Sequence, residues 1–299
     1  MRIILLVLAS WWLIAAAPPP AVPPSAAPKE APLATPALWK ISDADTTIYL
    51  FGTVHVLPKD TRWFEGPLRA AFDGSDELVL EMLEPAPPEA GQIVMRYAVD
   101  PDGPPLSEKL SPQARASYQE AIQRLGLNVA DMDRLEPWFV STLIPMVTMM
   151  HLGLDPKSGA EAVLTEAAKK GGKSLGALET MEQQMGFFDT LPEAEQIAML
   201  SQSVEELPNM PRLTQDMLSA WRRGEPDRLA ELMTDDIKNF PEVERVLFTE
   251  RNRRWADWIV QRMARPGTVF LAVGAGHLAG KGSVQSLLSP HQLTAIRIR

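Results

Sequence analysis

Short apolar runs of strand type cluster at the two ends of the chain, and most of the stretch between them has helical periodicity. That distribution constrains the fold more than any other feature of the sequence. Near the start, Trp39-Lys40-Ile41 and Thr46-Thr47-Ile48-Tyr49-Leu50-Phe51 flank the turn-forming Ser42-Asp43-Ala44-Asp45 and read as a hairpin. A third run, Glu77-Leu78-Val79-Leu80-Glu81, follows the turn signal Asp73-Gly74-Ser75-Asp76. A weaker one, Lys173 to Leu178, follows Gly171-Gly172, and a strong one, Thr268 to Val273, follows Pro266-Gly267. Leu293 to Ile298 closes the chain with alternating character.

The remaining segments read as helices. Ser111-Pro112 predicts a helix start with Ser as N-cap and Pro at the first position. Glu136 to Met150 is apolar with an internal Pro145, which predicts a kink. Lys157–Lys170, Pro192–Leu207, Leu213–Arg223 and Pro241–Ala264 follow, the last with strong 3.6-residue periodicity. Strands from both ends share one sheet only if the middle is looped out. The expectation is an α/β fold: a central β-sheet built from N- and C-terminal segments, with a large helical insertion between them.

Composition narrows the chemistry. The chain has 299 residues, no cysteine, 4 histidines and a formal net charge of -9. Zero cysteine rules out disulfides, thiolate metal sites and a cysteine nucleophile. The acidic balance argues against nucleic acid as a partner, because phosphate neutralisation needs a basic surface. The first residues are not fold. Arg2 precedes an apolar run of about 15 residues, shorter than a comfortable bilayer span, and Ala15-Ala16-Ala17 offers a cleavage site. Residues 1–17 therefore read as a signal peptide, which makes the protein periplasmic or secreted; an uncleaved segment would instead be a membrane tether. Pro18 directly after the Ala triplet leaves the cleavage point open. Residues 18–37 hold eight prolines and read as a Pro/Ala-rich linker, leaving 38–299 as the folded domain.

Two histidines share one pattern. His55 ends Gly52-Thr53-Val54-His55 and His277 ends Gly274-Ala275-Gly276-His277, each directly after an apolar run. Ligand crevices in open α/β sheets lie at the carboxyl ends of the strands. Glu81 and Glu179 arrive at strand ends by the same logic. Imidazole with carboxylate suits a divalent ion with open positions for water. Glu179 also reads as an ordinary helix start, and Glu81 as a salt-bridge partner. Arg251 falls at about 40° from Leu247 on a 100° wheel, between Leu247 and Trp255. A guanidinium buried there needs a carboxylate or an anionic ligand; the alternative is that it snorkels. Asn252, at the stripe edge, is placed to hydrogen-bond the same site. His151 reads as a helix end, His291 as exposed loop, and Met146, Met149 and Met150 as core filler. Gly274-Ala275-Gly276-His277-Leu278-Ala279-Gly280 has the look of a dinucleotide loop, but nineteen residues after it leave no room for the rest of that unit.

These residues resemble the TraB/GumN (TraB/PrgY/GumN) family in its GumN-like bacterial branch, related to the Tiki proteins. The matching pieces are Leu38-Trp39-Lys40-Ile41, Tyr49 to His55, Leu80-Glu81, Leu178-Glu179-Thr180, Arg251-Asn252 with Trp255, and Val273 to Gly280. The resemblance implies an α/β fold and a site of two Gly-x-x-His motifs and a Glu. On this chain His55, Glu81 and His277 would be the metal ligands, with Glu179 and Arg251 as the catalytic groups beside them. It further implies a divalent metal ion (Mn, Co or Zn) and a metallopeptidase-like hydrolase acting on a peptide or small-molecule substrate. Two rival readings stand beside it: a non-catalytic peptide-, haem- or metal-binding module, and a hydrolase of ester or lactone bonds.

Overall fold

The computed structural model describes residues 32–234 and 240–299. The signal peptide read over residues 1–17, and the linker as far as residue 31, lie outside them. Residues 34–37 already pack on the domain: Ala34 is buried and its N–H donates to the Arg62 carbonyl at 2.7 Å.

Six strands form one sheet: β1 (Leu38–Ser42), β2 (Thr46–Thr53), β3 (Glu77–Met82), β4 (Ser174–Glu179), β5 (Gly267–Gly274) and β6 (Ile296–Arg297), in the spatial order β4-β3-β5-β2-β1-β6. β4, β3, β5 and β2 run parallel, while β1 pairs antiparallel with both β2 and β6. The β1–β2 hairpin closes through Asp43, whose carboxylate accepts from the Thr46 N–H at 2.8 Å. The sheet is thus an α/β sheet made from both ends of the chain. The helical insertion is divided in two by β4, which takes the sheet edge beside β3.

Parallel strands need crossovers, and helices supply them. α1 (Gly66–Asp73) links β2 to β3. Between β3 and β4 come α2 (Pro87–Tyr97), α3 (Pro112–Arg124), α4 (Pro137–His151) and α5 (Ala160–Gly171). Between β4 and β5 come α6 (Met181–Asp189), α7 (Glu193–Glu205), α8 (Met210–Arg223), α9 (Pro226–Thr234) and α10 (Glu250–Met263). Ser111 caps α3 as its sequence predicts, accepting from the Ala114 N–H at 3.3 Å. α4 runs through Pro145, which cannot donate to the Ser141 carbonyl. The Ser203 hydroxyl lies 2.9 Å from that carbonyl.

β5 is central, so Val269 to Val273 are buried on both faces. Val269 and Leu271 pack with Ile48, Leu50 and Val79 under α10, against Trp255 and Ile259. Phe270 packs the other way with Phe51, Phe72, Leu164 and Trp221. A third cluster is purely helical, with Tyr118, Ile122, Val140, Ile144, Leu200 and Val204. Each fully buried large apolar side chain contributes roughly 1.5–3 kcal/mol.

Two segments depart from their sequence patterns. The helix predicted over Pro241–Ala264 contains a π turn at Arg245–Thr249, just before α10 begins. The strand expected over Leu293–Ile298 shrinks to two residues. A 3₁₀ helix runs as far as His291, and Gln292 then turns through a positive φ of 60°. Ile296 and Arg297 form the ladder with β1, and beyond them the Ile298 N–H still donates to the Leu38 carbonyl at 2.9 Å.

Candidate active site

β2 and β5 lie side by side with Gly52 opposite Val273 and Thr53 opposite Gly274. The two Gly-x-x-His segments therefore leave the sheet at the same edge. Gly52 is needed for that approach: a Cβ there would stand 3.0 Å from the Ala275 Cα. Beyond Gly274 a short 3₁₀ turn, Ala275–Leu278, carries His277 over the strand ends.

His55 is held by the start of α5. A Cβ on Gly159 would lie 2.0 Å from the His55 carbonyl oxygen, so only glycine lets α5 pack so closely. The Ala160 N–H donates to the Val54 carbonyl at 2.9 Å. Glu161, in the first turn of α5, then reaches His55 Nδ1 at 2.7 Å. Burial pushes the Glu161 carboxyl up. The His55 charge, with hydrogen bonds from His55, Thr53 and the Glu161 backbone, outweighs burial and holds it below the ordinary carboxylate value. Neither Gly159 nor Glu161 stands out in the sequence, because Lys157–Lys170 reads as an unremarkable amphipathic helix.

Arg251 is the hub. Its side chain is 0% exposed. Nε lies 3.0 Å from both Glu179 oxygens, and Nη2 donates to Glu81 Oε2 at 2.7 Å and Glu179 Oε2 at 2.8 Å. Nη1 faces the Leu247 carbonyl and His277 Nε2, each at 3.3 Å. A guanidinium has five N–H groups, and these contacts engage all of them. Burial works against its charge, but the two carboxylates outweigh that and raise its pKa. The wheel placement of Arg251 between Leu247 and Trp255 thus corresponds to a buried carboxylate partner and not to snorkelling.

Glu179 also accepts from Trp255 Nε1 at 3.1 Å. Gln184 on α6 bridges the two acids, 3.3 Å from Glu81 Oε2 and 3.2 Å from Glu179 Oε2. Glu81 Oε1 accepts the Gly274 N–H at 2.6 Å. Burial raises the Glu81 pKa, with Arg251 opposing it and Glu179 adding to it. Arg251, Gln184 and the Gly274 N–H all donate to its oxygens, and these hydrogen bonds work against that rise.

His277 is 1% exposed and tilts against Trp255, its ring centroid 4.4 Å from the indole. Its Nδ1 lies 2.6 Å from Asn252 Oδ1, while Asn252 Nδ2 donates to the Gly282 carbonyl at 2.8 Å. That second bond assigns the amide orientation, so Nδ1 carries the proton and Nε2 the lone pair. Burial, then the Arg251 charge, then His55 push the His277 pKa well below 6.5, which keeps the ring neutral.

The structure therefore gathers Glu81, Glu179, Arg251, His277 and Asn252 into one buried network, with His277 Nε2 3.9 Å from Glu81 Oε1. His55 is buried close enough to act on the charges of both Glu81 and His277. His151 ends α4 and is exposed; His291, read as loop, ends a 3₁₀ helix and is also exposed. On donor chemistry the site fits a divalent ion. An imidazole whose Nδ1 proton is held by an oxygen carries its lone pair on Nε2, and metal-ligating histidines are oriented in this way. Asn252 does this for His277 and Glu161 for His55. Among the described residues, no three His, Asp or Glu side chains are already gathered where they could hold an ion. Among the described residues, too, no helix is long and apolar enough to cross a membrane.

The sequence profile of the TraB/PrgY/gumN family matches residues 37–296. Among similar proteins, uncharacterized protein YbaP of Escherichia coli is 25% identical over 240 residues, covering 80% of this chain and 87% of its own. An uncharacterized protein of Treponema pallidum is 22% identical over 272 residues, covering 85% and 80%. Metalloprotease TIKI1 of Danio rerio is 22% identical over 302 aligned positions, covering 84% of this chain and 60% of its own. No solved structure matches.

Proposed function

The chain belongs to the TraB/PrgY/gumN family, and from that premise we propose that it is an exported metal-dependent hydrolase whose substrate is a peptide. One observation carries the reading: two imidazoles, each with Nδ1 at an oxygen, follow the carboxyl ends of adjacent parallel strands, and Glu81 lies near the end of the strand on the other side of β5. The name of the TIKI1 relative supports the metal and the peptide bond, and the apolar leader supports export to the periplasm or beyond. A divalent ion held by His55, Glu81 and His277 would supply a water acidified toward neutral pH and a polarised carbonyl.

The chain's own residues do the positioning. Asn252 fixes the His277 tautomer, and Glu161 fixes the His55 ring. Arg251 directs its N–H groups at Glu81, Glu179, the Leu247 carbonyl and His277 Nε2, so it acts as the charge partner of the two acids; its Nη1 N–H would have to turn away from His277 for Nε2 to hold an ion. Glu179 accepts from Arg251, Trp255 and Gln184 together. It is therefore the group that orients Arg251. Trp255 and Phe248 pack on the His277 ring and exclude water from it.

The test is metal content and hydrolysis together. Wild type and His55→Ala, both verified as folded, are supplied with Mn, Co or Zn and assayed against a peptide library and an ester panel. The reading expects stoichiometric metal and peptide cleavage in the wild type, and loss of both in His55→Ala. Equal cleavage by the two proteins overturns it. A second reading draws on the burial of His277 and Arg251: a binding module that retains a peptide, haem or metal without turnover. Ligand retained through purification, with no hydrolysis of any substrate, would select that one.

A further inference from the structure

A polar depression lies against the buried network. Between α6 and α10 a hollow of about 600 Å³, solvent at its mouth included, reaches down to Leu178 and Glu179. Phe187 and Trp258 form aromatic walls, and Gln183 and Gln261 stand at the rim. Arg254 lines it as well, with a side chain 47% exposed.

Arg254 is a loose outer partner of the network, half-exposed and turned toward the hollow. Among the described residues it makes no hydrogen bond, and its nearest carboxylate, Glu179, lies 3.6 Å away. Glu179 already accepts hydrogen bonds from Arg251, Trp255 and Gln184, and the longer Arg254 contact leaves N–H groups of Arg254 for a ligand in the hollow. The guanidinium lies over the Phe187 ring, 5.0 Å from its centroid. A guanidinium stacked by its face keeps its N–H edge for a planar anion, and the bidentate match is a carboxylate. The aromatic walls beside it suit an apolar group attached to that carboxylate.

We propose that this hollow is a carboxylate-binding subsite, in which Arg254 receives the free C-terminal carboxylate of a peptide and Phe187 and Trp258 flank its last side chain. The proposal rests on the peptide-hydrolase reading and narrows it to substrates with a free C-terminus.

Binding is measured apart from turnover. The probes are the tripeptide Ala-Ala-Leu and its C-terminal amide, titrated by tryptophan fluorescence into wild type, Arg254→Met, Arg254→Lys and Trp258→Phe. Release of leucine is followed in parallel. In wild type the free acid binds about tenfold or more tighter than the amide, the size of a lost charge-assisted pair. Arg254→Met binds the two forms alike, and Arg254→Lys keeps part of the preference. Trp258→Phe loses most of the optical signal while calorimetry still shows the preference. The proposal is overturned if wild type binds acid and amide equally, if neither binds at millimolar concentration, or if Arg254→Met keeps the full preference. Discrimination with no hydrolysis of any peptide in the library retains the subsite and removes the hydrolase reading; cleavage of other peptides without discrimination does the reverse.

Discussion

Replacing Arg251 by Met keeps an unbranched stem and removes the only cation that contacts both Glu81 and Glu179. Both acids are buried, at 8% and 6% exposure, so neither gains water as a substitute. Breaking a buried ion pair from one side costs about 3–5 kcal/mol, because the abandoned charge stays desolvated. For a domain of this size each kcal/mol lowers Tm by roughly 2–4 °C, so the drop is roughly 6–20 °C. The sign of the pH dependence follows. Burial holds the Glu81 pKa above the ordinary 4.5 even with the guanidinium opposing it, and removing Arg251 takes that opposition away. The folded variant then binds more protons than its unfolded chain, so its deficit against wild type shrinks as pH falls toward that value. Denaturant melts of both proteins between pH 7 and pH 5 measure the gap, and adding Glu179→Gln to the variant should recover part of it. A neutral-pH gap under about 1 kcal/mol, the scale of a surface pair, or a gap that widens on acidification, would refute the argument that Arg251 is the charge hub.

Gly159→Ala drives a Cβ into the His55 carbonyl and should cost about 1–3 kcal/mol, while Gly186→Ala in α6, where a Cβ meets nothing within 4 Å, should be neutral or stabilising in the same thermal melts. His277 has its folded pKa held well below 6.5, so its contribution is present above that value and lost as pH falls below it; wild type should lose stability relative to His277→Asn between pH 7 and pH 5, and a flat difference would contradict a neutral buried ring. Glu161→Gln should weaken metal binding by about 10–100-fold with Tm little changed, as read by competition with a metal indicator.

The sheet was legible because its strands are short apolar runs closed by turn residues, and β5 reads as a continuous run because it is buried on both faces. The Gly-x-x-His pair was legible for the same reason, since each follows directly on a strand. Glu161 and Gln184 were not. Both sit on helices whose pattern is set by the faces that bury Leu164 and Met185, and a polar residue at a helix start looks like solvent-facing surface until the neighbouring strand end is placed. Arg251 could be placed in the apolar stripe, but its choice of both acids could not be read, because that depends on β3 and β4 being neighbours. The π turn before α10 left no signal, since one widened turn barely disturbs a 100° wheel.

β5 lies between β3 and β2, although it follows both by well over a hundred residues in the chain. Until it arrives, β2 and β3 cannot pair with each other, and each presents an open edge toward the place it will fill. Contacts such as Arg251 with Glu81 span 170 residues, and closure of such loops comes before any reward from packing. The sheet is continuous only once β5 lies between β2 and β3, and the segment that covers those two edges is also the one that carries His277. A chain interrupted before Gly267 lacks both β5 and His277, so closure of the sheet and completion of the candidate site depend on the same segment.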